Sequence, residues 1–390
     1  MRIGIDARSI LNPERGDAIG SGHYTYQLIR HLLEMDTKNE YVLFFDFRVR
    51  EQDVQKFSRP NVKVRFYPFS DYKKYLPGAY SELLGTATLR RERLDVLHAT
   101  SPSSRIPIGY SGKTVVTFHD MAPFVVPECL PRFRRSRDKA ICSYMAKKAD
   151  RIIAVSSSIK DALVSQHHVL SGSVKVVYSA VDRRFFNDSS VDINSVKEKF
   201  GISKKYILFL GTLEPSKNIS RLLEAFAIFK EQRLVSRGGD DFDWQLVLGG
   251  KRGWLSQEYP RLAKDLGVSK DVVWTGYVVG DDLVPLFKGS DFFVMPSLYE
   301  GFGMTALEAL ATQTPSIVSD IPTMREIVGQ SAHFVDPKNV TSLVDAFTLF
   351  SESKTVREDF CQKGFIQAKK FDWKKTAQET LAVYEDVVGK

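Results

Sequence analysis

The sequence predicts an α/β protein made of two doubly wound domains in tandem, each a parallel β-sheet covered by helices on both faces. Short runs rich in β-branched and aromatic residues alternate with longer segments of helical spacing, which is typical of such sheets. The alternation stops in a polar stretch, residues 182–205, and then begins again. A chain of 390 residues is also long enough for two domains.

The first half of the chain contains seven predicted strands. The first strand covers residues 2–7, and Gly20-Ser21-Gly22 opens a helix at 23–33, where apolar residues recur at helical spacing. The other predicted strands lie at residues 41–47, 62–67, 96–98, 114–118, 151–155 and 174–178. Helical patterns lie between them.

The second half repeats this pattern. Strands are predicted at residues 206–211, 244–250, 272–274, 292–295 and 316–318, and a helix at 220–231. Open α/β sheets bind ligands at the carboxyl ends of their strands, so we expect a site in the cleft between two facing sheets.

Composition narrows the class of protein. With 43% hydrophobic and 26% charged residues, the chain is neither disordered nor collagen-like. No apolar run approaches the ~20 residues that span a bilayer. Asp6 and Arg8 fall where a signal peptide would be apolar, and three cysteines, Cys129, Cys142 and Cys361, have no metal-binding spacing. We therefore expect a cytosolic protein with reduced thiols.

The positive charge is concentrated in the N-terminal half. Residues 1–182 carry 28 Lys and Arg against 19 Asp and Glu, whereas the remainder carries 27 against 28. The densest segment is Arg132–Arg151, and Lys73-Lys74 forms a smaller cluster. Such segments suit a phosphate-bearing partner or an anionic membrane, although a solvated helix face is an equal alternative.

The segment with the most chemical information follows the strand at 292–295. A loop with Gly301 and Gly303 runs into a helix that begins near Met304. Glycines allow close backbone approach, and the free N–H groups of a helix start bind phosphate. Glu300 opens the loop and Glu308 lies inside the helix, where carboxylates suit sugar hydroxyls. The segment therefore predicts a site for a sugar linked to a diphosphate.

This segment resembles the E-x7-E signature, with EGFG inside it, of the retaining glycosyltransferases of family 4, which have the GT-B fold. Other strings resemble family motifs in the same order: IGIDAR at 3–8, GSGHYT at 20–25, TFHD at 117–120, YSAVD at 178–182, GTLEPSKN at 211–218, TGYV at 275–278 and FDW at 371–373. The GTLEP loop is similar to that of mannosyltransferase-like members.

The resemblance implies two Rossmann-like domains that face a central cleft. Residues 1–183 are expected to bind the acceptor and residues 184–372 the nucleotide sugar. A helix at 373–390 is expected to cross back to the N-terminal domain.

The resemblance also implies residue roles at matching positions. Lys217 would neutralise the donor's diphosphate, Glu300 would face the anomeric carbon, and Glu308 would accept hydrogen bonds from the ribose. His119, oriented by Asp120, would lie near the sugar's primary hydroxyl. The other implied donor contacts are Gly22, Gly211, Thr212, Tyr277, Gly301, Phe302, Gly303, Met304 and Thr305.

One departure from the family pattern concerns a second cation. Family members often carry an arginine just before the lysine of the GTLEP loop, where this chain has Ser216. Arg221 or Lys251 could take that role, and the sequence does not choose between them.

The implied reaction is transfer of a sugar from a nucleotide diphosphate sugar to an acceptor hydroxyl with retention at the anomeric carbon. Retention could come from a double displacement through Glu300 or from front-face attack, which we favour. We expect no metal and no other cofactor. GDP-mannose is the predicted donor, and a UDP-sugar is the alternative.

The predicted acceptor is a lipid-linked or polysaccharide intermediate of bacterial cell-surface glycan synthesis. Through Arg132–Arg151, the enzyme would dock on the cytoplasmic membrane, and we expect no nucleic-acid partner. A nucleotide-sugar epimerase and a non-catalytic two-lobed sugar-binding protein are the alternatives from other classes. The triplet Asp241-Phe242-Asp243 has the form of a metal-binding DxD, but it precedes its strand, which indicates a solvated turn.

Overall fold

A computed structural model describes residues 1–11, 20–67, 78–187, 192–237 and 242–389. These residues form two compact units. The N-terminal unit comprises Met1–Phe124, Phe133–Ala180 and Asp372–Lys390, and the C-terminal unit comprises Val125–Arg132 and Val181–Phe371. The Lys73-Lys74 pair and Asp241 lie outside the described residues.

The N-terminal unit contains a parallel sheet of seven strands in the order β3-β2-β1-β4-β5-β6-β7. Its central strands are buried on both faces because helices cover the sheet on each side. The strands are β1 Arg2–Asp6, β2 Glu40–Asp46, β3 Val62–Tyr67, β4 Val96–Ala99, β5 Lys113–Phe118, β6 Arg151–Ala154 and β7 Val174–Val176.

Helices connect these strands, and one more comes from the end of the chain. The helices are α1 Gly20–Met35, α2 Glu51–Val54, α3 Gly78–Arg91, α4 Ala122–Val125, α5 Arg132–Lys148 and α6 Ser157–His167, and the C-terminal helix is Trp373–Val388. Ser156 caps α6 by accepting a hydrogen bond from the N–H of Ile159.

The C-terminal helix belongs to the N-terminal unit and packs against α1. Asp372 caps its first turn, and the Thr376 hydroxyl donates to the Tyr178 carbonyl over 2.8 Å. The Tyr384 hydroxyl lies 2.6 Å from Nδ1 of the buried His98. The predicted return of the last helix to the N-terminal domain is confirmed.

The C-terminal unit contains a parallel sheet of six strands in the order β10-β9-β8-β11-β12-β13. The strands are β8 Lys205–Leu210, β9 Trp244–Gly249, β10 Val272–Gly276, β11 Phe292–Met295, β12 Ser316–Ser319 and β13 His333–Val335. The helices are α7 Ile193–Phe200, α8 Ile219–Arg237, α9 Tyr259–Asp265, α10 Leu283–Lys288, α11 Met304–Ala311, α12 Pro322–Val328, α13 Val340–Glu352 and α14 Lys354–Ala368. The C-terminal helix is α15. The core combines aliphatic side chains with large aromatic ones, among them Phe209, Phe226, Trp244, Phe292 and Phe347.

The predicted fold class is confirmed, and the differences are local. Strand ends differ by one or two residues from the prediction, and β13 was missed because it has only three residues, two of them half-buried. The helix α1 begins at Gly20. Gly22 therefore lies in the first turn of a helix and not, as expected, in a loop.

Candidate functional site

The strand order of the C-terminal sheet reverses between β8 and β11, and ligands bind at such switch points. Two loops leave the carboxyl ends of these strands. Residues 211–218 follow β8, and residues 296–303 follow β11. Most of the predicted donor-binding residues lie on these two loops and on α11.

The loop after β8 is joined to the loop after β9 by backbone hydrogen bonds. The Gly211 N–H donates to the Gly249 carbonyl, and the Leu213 N–H donates to the Lys251 carbonyl, each over 2.9 Å. The approach at Gly250 is very close, because a Cβ added there would lie 1.7 Å from the Gly211 oxygen. Glycine at residue 250 therefore lets the two loops pack together.

Asn218 connects the loop after β8 to the loop after β11. Its side-chain amide donates to the carbonyls of Pro296 and Pro337 over 3.0 and 2.6 Å, and its backbone has a φ of 61°. The Leu298 N–H donates to the Ser216 carbonyl over 2.8 Å. These buried bonds hold the two loops in register and so position Lys217.

Lys217 and Glu300, the two predicted catalytic residues of this unit, form an ion pair. Nζ of Lys217 lies 2.6 Å from Oε1 of Glu300. The fully buried Ser297 hydroxyl donates to the same Oε1 over 2.7 Å, and the Thr323 hydroxyl donates to the Glu300 carbonyl over 2.8 Å. Glu300 is thus held at both its side chain and its backbone.

The helix α11 begins directly after this loop. Gly303 has a φ of 92°, a backbone conformation that residues with a Cβ rarely adopt, so glycine is favoured at this position. A Cβ there would also lie 2.2 Å from Cε of Met324, whose flexible side chain would have to move. The first intrahelical donors to the Gly303 carbonyl are the N–H groups of Ala306 and Leu307. The amides of Met304 and Thr305 belong to the first turn, which is suited to binding phosphate.

Glu308 lies one turn further along α11 and is half-buried. Burial raises the pKa of its carboxyl group to about 7, opposed by the nearby positive charge of Arg184 and assisted by the negative charge of Asp182. Side chains on a helix tilt toward its N-terminus, so Glu308 lies over the turn that holds Met304 and Thr305.

The remaining predicted donor contacts lie around these loops. Gly301 and the buried Phe302 connect Glu300 to Gly303, and Thr212 is half-buried in the loop after β8. Tyr277 follows β10 and is 38% exposed, with Nζ of Lys251 4.4 Å from its ring centre.

The structure shows the contacts of Arg221 and Lys251, the two residues that could supply a second cation in place of the arginine missing at Ser216. Nη1 of Arg221 donates to Oδ1 of Asn218 over 2.9 Å, so Arg221 supports the connection between the loops. Lys251 stacks on Tyr277. The Ser216 side chain is buried, and its hydroxyl donates to Glu214 over 2.9 Å.

The N-terminal unit carries the other predicted residues. His119 follows β5, with Nε2 2.7 Å from the Thr100 carbonyl and its ring 4.5 Å from that of Tyr24. Burial lowers the pKa of His119 to about 4, so the neutral ring donates through Nε2 and leaves Nδ1 as an acceptor. Asp120 accepts a hydrogen bond from the N–H of Ala122 over 2.6 Å, a capping contact that the sequence did not predict.

Sequence reasoning missed the residues that support the site. Asn218, Ser297 and Thr323 hold Lys217 and Glu300 in place, and each is buried. In the sequence, each of these three is simply a polar residue in or near a motif. That signal does not reveal which group the side chain binds.

The described residues lack a metal-binding cluster and a membrane-spanning helix. Within that part of the chain, no group of three or more His, Cys, Asp or Glu side chains could hold a metal ion. No helix there combines the length and the apolar character needed to cross a membrane.

Comparisons with known proteins match both units. The family model for group 1 glycosyl transferases matches residues 191–366, and the model for glycosyltransferase family 4 matches residues 19–185. The chain belongs to glycosyltransferase family 4. The predictions of a glycosyltransferase and of the GT-B fold are confirmed.

Individual relatives and structures resemble this glycosyltransferase along much of its length. It is 26% identical to O-antigen chain mannosyltransferase B of Escherichia coli, over 94% of this chain and 96% of that protein. It is 28% identical to the serotype-specific mannosyltransferase WbdA of Escherichia coli, over 71% of this chain and 33% of that protein. A crystal structure of Anabaena HepE with UDP and glucose shares the fold, with a TM-score of 0.74, 17% identity, and coverage of 99% of this chain and 100% of that chain.

Proposed function

We propose that this glycosyltransferase transfers mannose from GDP-mannose to a lipid-linked or polysaccharide acceptor during synthesis of a bacterial cell-surface glycan such as O-antigen or exopolysaccharide. The transfer retains the configuration of the anomeric carbon and needs no metal ion. The names of the Escherichia coli relatives, one of which matches along nearly its whole length, support mannose and the O-antigen class of acceptor.

One observation carries the proposal: the Lys217 ammonium and the Glu300 carboxylate meet, 2.6 Å apart, at a switch point beside the start of α11. A cation next to phosphate-binding amides suits a leaving diphosphate, and a fixed carboxylate suits a sugar. These groups supply the charge stabilisation that a glycosyl transfer needs.

In the proposed reaction, the acceptor oxygen attacks the anomeric carbon from the face that the diphosphate leaves. The bond between this carbon and the phosphate oxygen breaks, and the departing oxygen takes the acceptor's proton. Lys217 and the amides of Met304 and Thr305 stabilise the charge on the diphosphate. Two hydrogen bonds to Oε1 of Glu300 lower its nucleophilicity, which favours this route over a covalent intermediate.

His119 contributes an acceptor in this proposal. Its Nε2 is held by the Thr100 carbonyl, so Nδ1 would accept a hydrogen bond from the primary hydroxyl of the sugar. The lowered pKa of His119 supports a neutral acceptor over a proton donor at neutral pH.

We further propose that α5 binds the cytoplasmic face of the membrane. Phe133, which the sequence analysis did not single out, is 81% exposed among Arg132, Arg134 and Arg135. An exposed aromatic ring surrounded by arginines suits anionic head groups above an apolar layer. Arg151, the last residue of the predicted basic segment, instead forms an ion pair with Asp386 of the C-terminal helix over 2.6 Å.

The first experiment screens thermal stability against GDP, UDP, ADP, dTDP and their sugars with EDTA present. A ligand at about 100 times its Kd stabilises by about 2.7 kcal/mol, which is readily measured. We expect shifts with GDP and GDP-mannose. A preference for UDP would overturn the donor, and loss of binding in EDTA would overturn metal independence.

Transfer to an acceptor is tested with Lys217→Ala. Losing one group that stabilises a leaving anion costs on the order of 10²–10³ in rate, so we expect turnover to fall by that factor with the melting temperature preserved. Lys270→Ala, at an exposed position of the same unit, is the matched control. Near-normal turnover by Lys217→Ala would refute its assignment.

A further inference from the structure

Arg184 has a buried donor that lacks a partner. Its Nε is inaccessible to solvent, and no atom of the described residues accepts a hydrogen bond from it. Buried nitrogens of a guanidinium are almost always bonded, because an unmade hydrogen bond leaves the cost of desolvation uncompensated. A donor left in this state points to an acceptor that arrives with a ligand.

The backbone holds Arg184 in a fixed place. It lies on a 3₁₀ turn, Arg183–Phe186, that Asp182 caps by accepting the Arg184 N–H over 3.1 Å. Phe185, 1% exposed, anchors this turn against Phe287, and the Arg184 guanidinium carbon lies 4.9 Å from the centre of the Phe185 ring. The turn packs on α11.

The charge of the Arg184 guanidinium reaches α11, on which its 3₁₀ turn packs. This charge acts on the Glu308 carboxylate, which lies over Met304 and Thr305 because helical side chains tilt toward the N-terminus. The turn that carries Arg184 therefore lies against the helix whose first amides are proposed to bind the diphosphate. Arginine binds phosphate oxygens through paired donors, and Nε is one of them.

We propose that Arg184 is the second cation of the donor site and that its guanidinium binds a phosphate oxygen of the nucleoside diphosphate beside Glu308. This inference rests on the proposed function. Arg184 would replace the family's arginine, which is Ser216 in this chain. The two candidates suggested by the sequence have other contacts, because Arg221 is bonded to Asn218 and Lys251 stacks on Tyr277. The cation comes from the start of the C-terminal unit instead of the GTLEP loop.

Titration calorimetry of the full chain with GDP and with guanosine tests this proposal. Charge-assisted hydrogen bonds are worth about tenfold or more in affinity, so Arg184→Gln should weaken GDP binding by at least that factor. Guanosine affinity should change less than about twofold, because it has no phosphate. Arg183→Gln, at the exposed neighbouring position, is the matched control and should bind GDP normally.

Two further measurements separate phosphate binding from a structural role. Arg184→Gln should show a shallower salt dependence of GDP binding than the wild type, and Arg184→Lys should recover part of the affinity. Wild-type affinity for GDP in Arg184→Gln would overturn the inference, as would equal losses for GDP and guanosine. If the wild-type protein binds neither GDP nor UDP, the proposed function itself fails.

Discussion

Glu300 accepts hydrogen bonds from Lys217 and Ser297 on one carboxylate oxygen. Under the proposed function, the diphosphate and Glu300 therefore compete for the Lys217 ammonium. Donor binding must either share this ammonium or draw it from the carboxylate. If the diphosphate draws the ammonium away from Glu300, removing the Glu300 charge should change the affinity for the free nucleotide.

We predict that Glu300→Gln binds GDP about threefold or more tightly than the wild type, because Lys217 is released and a negative charge near the phosphates is removed. Turnover should fall by about 10²-fold. Calorimetry and a transfer assay measure the two effects, with Glu258→Gln on the exposed surface as the control. Weaker GDP binding by Glu300→Gln would contradict the competition.

Glu308 gives the site a dependence on pH. Its pKa is raised to about 7 from a reference value of 4.5, so the folded state holds a proton that the unfolded state releases. The stability that this proton provides is complete below pH 4.5 and is lost as the pH rises through 7. Under the proposed function, the ionised form is the one that accepts hydrogen bonds from the ribose hydroxyls.

We predict that the ratio of wild-type to Glu308→Gln affinity for GDP rises as the pH increases from 6 to 8, across the raised pKa of about 7. The nucleotide's own phosphate titrates equally in both measurements, so the ratio isolates Glu308. The variant should also gain more thermal stability at pH 8 than at pH 5, since at pH 8 it removes the charge of a half-buried carboxylate. A ratio independent of pH would refute the ribose role.

The two loops after β8 and β11 act as one element because Asn218 connects them. Its amide satisfies the Pro296 and Pro337 carbonyls, and its left-handed backbone turns the chain from the 3₁₀ turn at Pro215–Lys217 into α8. The position of Lys217 is therefore set by its neighbour Asn218, whose side chain is bonded to other parts of the protein.

We predict that Asn218→Gly lowers the free energy of unfolding by about 1–3 kcal/mol, because two buried carbonyls lose their donor while the backbone conformation is kept. Asn218→Ala should cost more, since alanine resists a φ of 61°. Urea unfolding measures both. Turnover of Asn218→Gly should fall with GDP affinity retained, and wild-type stability in this variant would contradict the role of Asn218.

At the level of the whole molecule, charge and function are divided between the two halves. The excess positive charge lies in residues 1–182, and most of the proposed donor contacts lie in the C-terminal unit. The arginines at the start of α5 are mostly exposed, and the pairs that Arg134 and Arg137 make with Asp138 are surface pairs that contribute little. In the proposed membrane binding, these arginines exchange Asp138 for lipid phosphates.

We predict salt-sensitive binding to vesicles that contain anionic phospholipid, lost when Arg134, Arg135 and Arg137 are changed to Gln together. The matched control is a variant in which Arg261, Lys264 and Lys270, exposed on the C-terminal unit, are changed in the same way. This variant should bind the vesicles as the wild type does. Sedimentation with vesicles of phosphatidylglycerol and phosphatidylcholine measures both. Binding that is insensitive to salt or to the triple change would contradict the role of α5.

The alternation of strands and helices was predictable from the sequence because each element has its own local periodicity of apolar residues. The EGFG and GTLEPSKN strings likewise placed Lys217, Glu300 and Glu308 on loops and a helix beside a parallel sheet, because their chemistry is carried by adjacent residues. The start of α1 was placed wrongly, since Gly20 and Gly22 disfavour a helix locally while the buried face of α1 stabilises one.

The sequence by itself determined the fold class and the family resemblance, because both depend on short-range pattern. The residues expected to meet a donor follow from that resemblance and stay a prediction. Only the tertiary structure paired Lys217 with Glu300, placed Ser297 and Asn218 behind them and brought Arg184 to α11. Such contacts join residues far apart in the chain. They are set by the packing of strands and loops, which no local spacing encodes.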